Sequence, residues 1–239
     1  MDVKLEAFQE HWRQIKPVLE NTGPWSVGNR TRESIESGVI SVRANVNSLT
    51  HLLVEELRTQ SQLGPLLEFT FEEKIFKRLC VWARQPGIQQ EQRIIDQLRM
   101  YEMLISESDR CILHDKPLLE PMFSLLAHYQ TSAENLELDQ IVSQLNQSLC
   151  LWIGRDPTLL PVFFCCGQED QGKTGFLLFS MLVQHVYRDG PVGDRARDSM
   201  LLIFSYSSNH NSHRFLKYKK SDANMDCSFV KENCNPSVE

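Results

Sequence analysis

Apolar side chains recur at helical spacing along nearly the whole chain. Leu5, Phe8, Trp12, Ile15 and Leu19 step by three and four residues, which places them on one face of a helix with 3.6 residues per turn. Asp2 stands where an N-cap would open that helix. "NTGPWSVGNRTRES" at 21–34 breaks the pattern and predicts a loop. Val39, Val42, Val46, Leu49, Leu53 and Leu57 restart the stripe. Gly64-Pro65 begins the next helix, because proline suits a first helical turn. That helix runs to about Arg84, with one break near Phe71.

"QPG" at 85–87 predicts a turn, followed by a helix through Ile94, Leu98, Tyr101 and Ile105. "HDKP" at 114–117 resets the chain before Leu118, Met122, Leu125 and Tyr129. Leu138, Ile141, Leu145, Leu149 and Trp152 form a further stripe, stopped by "GRDP", where Asp156-Pro157 reads as a cap and first-turn pair. "TLLPVFFCC" is compatible with helix or strand, and 175–188 and 192–207 predict two last helices around "RDGPVG".

The pattern therefore predicts about eight or nine helices of roughly 15–20 residues with short connections, and strand signals are nearly absent. The expected fold class is all-α, an irregular armadillo- or HEAT-like α-solenoid over residues 1–208. No fixed-period repeat of the tetratricopeptide or ankyrin kind is present. Residues 209–239 are polar, rich in Asn and Ser and without a stripe, and predict a disordered tail.

Charge narrows the function. A formal net charge of −6 argues against general affinity for nucleic acid or an anionic membrane, both of which need basic stripes. No apolar run reaches the ~18 residues needed to span a bilayer. The N-terminus lacks the basic and apolar regions of a signal peptide. The seven cysteines, at 80, 111, 150, 165, 166, 227 and 234, are odd in number and contain no C-x-x-C. Reduced thiols in a cytoplasmic protein are expected, and the sequons at Asn29 and Asn146 are then inert.

One motif demands a decision. "GQEDQGKT" at 167–174 fits the P-loop pattern G-x-x-x-x-G-K-[ST], and Gly167, Gly172, Lys173 and Thr174 would then cradle a nucleotide phosphate. A working P-loop follows a strand in a parallel sheet, whereas the preceding 166 residues read as helical. A Walker-B strand ending in Asp is missing, since "LLIFSYSS" ends in serines. Glu169 and Asp170 would also bring negative charge to an anion. The favoured reading is a glycine-containing turn that starts a helix at Lys173 or Thr174, with Asp170 and Thr174 near its cap. Titration with labelled ATP and GTP plus Mg²⁺ separates the readings: saturable micromolar binding lost in Lys173→Ala would establish the P-loop.

Other chemistry is sparse. His51 and His128 lie beside apolar stripes and read as boundary residues. The spacing of His210, His213, Cys227 and Cys234 fits no standard zinc site, so no metal is expected. "KYKK" at 217–220 reads as a solvated run. Glu55-Glu56 and Glu72-Glu73 are adjacent pairs that cannot share a helix face, which excludes acid–base pairing. No catalytic residue and no cofactor are expected. A helical scaffold without catalytic residues usually binds proteins along an extended surface.

An ordered set of segments carries a resemblance: "EAFQEHWRQI" (6–15), "LTHLLVEE" (49–56), "GPLLEF" (64–69), "QLRMYEMLISES" (97–108), "LHDKPLLEPMFSLL" (113–126), "RDPTLLPVFF" (155–164), "EDQGKTGFLLFSML" (169–182) and "RDGPVGDRARDSMLLIFSYSS" (188–208). Over residues 2 to about 208 the chain resembles the N-terminal region of the FTS and Hook-interacting proteins, first subgroup. The resemblance implies an α-solenoid adaptor that joins FTS and Hook proteins in a cytoplasmic complex. It also implies a link from early endosomes and vesicles, through a Rab GTPase (Rab5-like), to dynein–dynactin. No family motif assigns binding residues here. Family members are several times longer, so the chain looks truncated near Ser208. The stripe around Met200–Phe204 is then expected to lack partners, with marginal solubility as the result. Where the family commonly has small residues after "EDQG", this chain has Lys173-Thr174, a local variation.

Overall fold

The computed structural model describes residues 3–20, 32–60, 63–87, 89–109, 111–129, 135–159 and 177–209. Among them all regular structure is helical, as nine α-helices and one 3₁₀ turn. These are α1 (Val3–Glu20), α2 (Arg32–Thr59), α3 (Pro65–Glu72), α4 (Ile75–Arg84), α5 (Gln90–Ser106), α6 (Lys116–Tyr129), α7 (Leu136–Arg155), the turn Pro157–Leu159, α8 (Leu177–His185) and α9 (Pro191–Asn209). The all-α expectation holds. The chain divides into two compact units, Met1–Ser132 and Ala133–Glu239. The "VFFCC" segment, the P-loop pattern, Asp2, Asn29 and the 210–239 tail lie outside the described residues.

In the first unit α1 packs on α2, α2 packs on α5, and α4 lies against both α5 and α6. The stripes read from the sequence are the buried faces. Phe8, Trp12, Ile15 and Leu19 bury from α1, and Val39, Val42, Val46, Leu49, Leu53 and Leu57 bury from α2. Each such side chain stabilises the fold by roughly 1.5–3 kcal/mol relative to exposure. Phe8 meets Phe69 of α3 edge-on, with ring centres 6.1 Å apart.

The helical stretch from Pro65 to Arg84, expected to break once near Phe71, is two helices, and the break falls at Glu73–Lys74. Lys74 is in the left-handed conformation, φ 54° and ψ 40°, which a side chain with a Cβ adopts only at a cost. Local bonds hold it there: the Glu73 amide donates to the Phe69 carbonyl at 3.0 Å and the Lys74 amide to that of Phe71 at 3.1 Å. Arg78 Nε donates to the Glu73 carbonyl at 3.0 Å.

The far end of α4 is closed by a buried arginine. Arg93 of α5 donates to the Trp82 carbonyl at 2.9 Å and to that of Gln85 at 2.6 Å. Its guanidinium lies 5.0 Å from the centre of the Trp82 ring. The charge thus sits where the helix dipole is negative, and it gives the Trp82 carbonyl a second donor beside the Gln85 amide at 3.3 Å.

In the second unit α9 packs on α7 and α8. Asn135 caps α7, accepting from the Glu137 and Leu138 amides at 2.9 and 3.1 Å. Asp156 does what its sequence context predicts: it ends α7 and caps the following turn, taking the Thr158 amide at 3.0 Å. Gly154 lets the helices approach, because a Cβ there would lie 2.0 Å from the Tyr206 hydroxyl oxygen. α9 buries Val192, Ala196, Ser199 and Ile203. It leaves Leu201 67% and Phe204 51% exposed, so the outward part of the Met200–Phe204 stripe is Leu201 and Phe204. Asn146, the second sequon asparagine, is fully buried and inaccessible to a glycan.

Candidate functional site

The residues named for a P-loop, Gly167, Gly172, Lys173 and Thr174, lie outside the described residues, as do His210, His213, Cys227 and Cys234. The described charged residues are engaged mainly in holding helices. The adjacent glutamates point apart, as their spacing requires. Glu55 is exposed and pairs with Lys4 at 2.6 Å, while Glu56 is buried and turned to the start of α3. Glu72 is exposed, and Glu73 accepts from Lys16 Nζ at 2.9 Å and Trp12 Nε1 at 3.1 Å. The Lys16 and Trp12 hydrogen bonds, helped by the charges of Lys16 and Arg78, hold the Glu73 carboxyl below the usual carboxylate range against the opposing effect of burial.

In the second unit Asp139 of α7 pairs with Arg188, just beyond α8, and Arg188 also reaches His185 Nδ1 at 3.3 Å. Burial pushes the His185 imidazole below its ordinary value. Asp139 opposes that shift and Arg188 adds to it.

Surface depressions among the described residues of the first unit include the following. One, between α1 and α3, has a volume of about 250 Å³ and is lined by Gln9, Trp12, Arg13, Lys16, Phe69 and Glu73. It is shallow, and its Lys16 charge is tied to Glu73. The other is a groove of about 300 Å³ between α2 and α5. Arg43, Asn47, Thr50 and His51 line it from α2, and Gln92, Asp96, Arg99, Met100 and Met103 from α5. These positions recur at three- and four-residue intervals, one stripe per helix, beside the apolar stripes that pack α2 on α5. Asp96 is the groove's carboxylate, and it already accepts from Arg43 Nε at 2.6 Å and Gln92 Nε2 at 3.1 Å.

The lining contains neither cysteine nor serine, and its acid is paired. Sequence reading passed over this groove. The polar stripe Arg43–Asn47–His51 was visible, but a polar stripe normally means a solvated face, and the pairing of α2 with α5 skips two helices. His51 is exposed on the groove's rim, and His128 is half-buried on α6. Among the described residues no helix is long and apolar enough to cross a membrane.

Comparison with known proteins decides the family. The model of the Retinoic acid induced 16-like protein family matches residues 66–221. The chain belongs to this family. Its match to the RAI16-like family is accompanied by similarity to proteins named FHF complex subunit HOOK-interacting protein. The human 1A protein is 36% identical over 203 residues, covering 84% of this chain and 19% of the relative. The mouse 1A protein is 36% identical over 206 residues, covering 86% and 19%. The 1B protein of Danio rerio is 32% identical over 219 residues, covering 86% and 18%. This RAI16-like chain thus spans about a fifth of the length of the curated relatives it matches.

Proposed function

We propose that this chain is a non-enzymatic adaptor that works by binding proteins in an FHF-type complex. The observation that carries the reading is similarity over 84% of the chain to a protein named as a HOOK-interacting subunit of that complex. The all-helical fold, with side chains spent on packing, capping and surface grooves, supports a binding role. In this reading FTS and Hook proteins are the direct partners. A Rab5-like GTPase on early endosomes, and dynein–dynactin reached through Hook, are the indirect ones. The chain works in the cytoplasm, peripherally attached to vesicles, with neither nucleic acid nor bilayer insertion involved. Residues 1–208 supply the helical binding surface and 209–239 a polar extension.

The test is co-precipitation of the tagged chain from cell extract, probed for FTS, Hook proteins and Rab5. Recovery of FTS or Hook above an unrelated helical control supports the adaptor. Recovery of neither, from soluble and folded chain, overturns it.

A further inference from the structure

The helix α4 turns a cationic face to solvent. Its exposed positions are Lys74 at the N-cap, Lys77, Val81 and Arg84. At about 100° per residue, Lys77, Val81 and Arg84 fall within about 60° of one another, and Lys74 begins the same stripe. From Lys74 to Arg84 the stripe advances about 15 Å at about 1.5 Å per residue. Residues 74–84 hold Lys74, Lys77, Arg78 and Arg84 and no acid, on a chain of net charge −6. Arg78 is matched by Glu20. The other three charges are not. Among the described residues the side chains of Lys74 and Lys77 have neither a hydrogen-bond nor an ion-pair partner. Arg84 donates to a neutral group, the Ser124 hydroxyl of α6, at 2.6 Å. Neither Glu72 at the end of α3 nor Glu120, the acid of α6, pairs with any of the three, and Glu73 is taken by Lys16.

We propose that this face of α4 docks an acidic amphipathic helix of a protein partner. The proposal rests on the adaptor reading and gives it a location. A helix laid along α4 shares its rise, so acids at i, i+3 and i+10 reach Lys74, Lys77 and Arg84. An apolar residue at i+7 then covers Val81, which is 55% exposed between the charges. Lys74 and Lys77 stand one turn apart, where like charges repel, and carboxylates set against them remove that repulsion. Arg84 is steadied by Ser124 before any partner arrives, which reduces the ordering cost of binding. A broad anionic surface would have to approach the whole acidic chain, whereas a single helix meets chiefly the stripe.

The experiment uses the full chain and a fluorescein-labelled helical peptide, Ala-Glu-Ala-Gln-Glu-Ala-Gln-Ala-Leu-Gln-Ala-Glu-Ala-Gln, read by fluorescence anisotropy. The competing probes are the same peptide with lysine for glutamate, a peptide of the same composition with its acids spread round the helix, and phosphatidylserine vesicles. The acidic stripe peptide is expected to bind saturably, with the Kd rising about fivefold or more in Lys77→Glu, where attraction becomes repulsion. Lys77→Gln, which removes the charge alone, is expected to give a smaller rise and covers the case in which the reversal disturbs folding. Circular dichroism checks both variants. Lys4→Gln, in α1 and paired with Glu55, is expected to leave the Kd unchanged. Equal binding by the parent chain and both Lys77 variants overturns the proposal. So does equal or better binding of the lysine or spread-acid peptide, or binding of the vesicles in place of the acidic peptide. Absence of peptide binding with intact co-precipitation of FTS or Hook removes only this surface. Loss of co-precipitation with intact peptide binding removes only the complex assignment.

Discussion

The two carboxylate oxygens of Glu56 accept separately from the Leu66 and Leu67 amides, at 2.8 and 2.9 Å. A side chain from α2 therefore satisfies the first turn of α3, whose N-cap residue, Gly64, has no side chain to do so. A Cβ on Gly64 would lie 2.2 Å from the Glu56 carboxyl carbon, so the glycine is what lets the acid in. Glu56→Ala is expected to destabilise the chain by about 2 kcal/mol, the upper range of cap losses. Gly64→Ala should cost a similar amount in the parent chain and much less in the Glu56→Ala background. Urea unfolding of the four variants measures the coupling. Additive losses would show that the two residues act independently.

Acid should weaken the α1–α3 contact through Glu73. Its carboxyl is held low by Lys16 and Trp12, so the folded state binds the proton less readily than the unfolded chain. The resulting stability is complete above the ordinary carboxylate value of 4.5 and disappears as pH falls through the lower, folded value. Glu73→Gln should therefore be less stable than the parent near neutrality. Thermal melts should bring the two together between about pH 5 and about pH 3.

His185 gives the second unit a pH response in a higher window. Its folded value lies below the ordinary 6.5, chiefly through burial, so the unfolded chain takes up the proton first. Stability is then full above the unfolded value and falls as pH drops below it. Melting midpoints followed from about pH 7.5 to about pH 5.5 should decline in the parent and be flatter in His185→Gln. A steeper decline in the variant would refute the assignment.

Gly154 is expected to resist enlargement. Its would-be Cβ lies 2.0 Å from the hydroxyl oxygen and 2.3 Å from the adjoining ring carbon of Tyr206. Gly154→Ala should cost about 1–3 kcal/mol, as overpacking does. Adding Tyr206→Ala should recover part of that loss in chemical denaturation. No recovery would mean that the strain lies in the α7 backbone.

Two thiols should be silent until the chain unfolds. Burial pushes Cys150 up to about 12, and also raises Cys80, whose Sγ donates to the Pro121 carbonyl at 3.4 Å. Mass mapping after brief iodoacetamide treatment should find both unmodified in native protein and modified in urea. Native labelling at either position would contradict this burial.

Much of the architecture was legible because burial on a helix is periodic. The α1 and α2 stripes were read nearly completely, with Leu5 only half-buried and the buried Val54 missed, and Gly64-Pro65 and Asp156-Pro157 marked real boundaries. What escaped was non-local. Glu56 caps a helix ten residues later in sequence, and nothing in its neighbours signals that its face is buried. The groove needs Arg43 beside Asp96, 53 residues apart, and only the packing of α2 on α5 brings them together. The α3–α4 break could be read only as near Phe71, because Lys74 carries no sign of a left-handed backbone; glycine or asparagine would have announced it.

That lysine has a further consequence. Successive residues of a helix turn by about 100°, so an unbroken helix would carry the phase of α3 into α4. At Lys74 the phase is reset: Leu66, Leu67 and Thr70 bury before it, and Phe76, Leu79, Cys80 and Ala83 bury after it. The positions on either side are thereby freed from a common register, and α4 can address α5 and α6 while α3 stays with α1 and α2. Substitutions in one helix need not be matched in the other. Removing a single residue at the junction, by contrast, would rotate the whole buried face of α4 out of place.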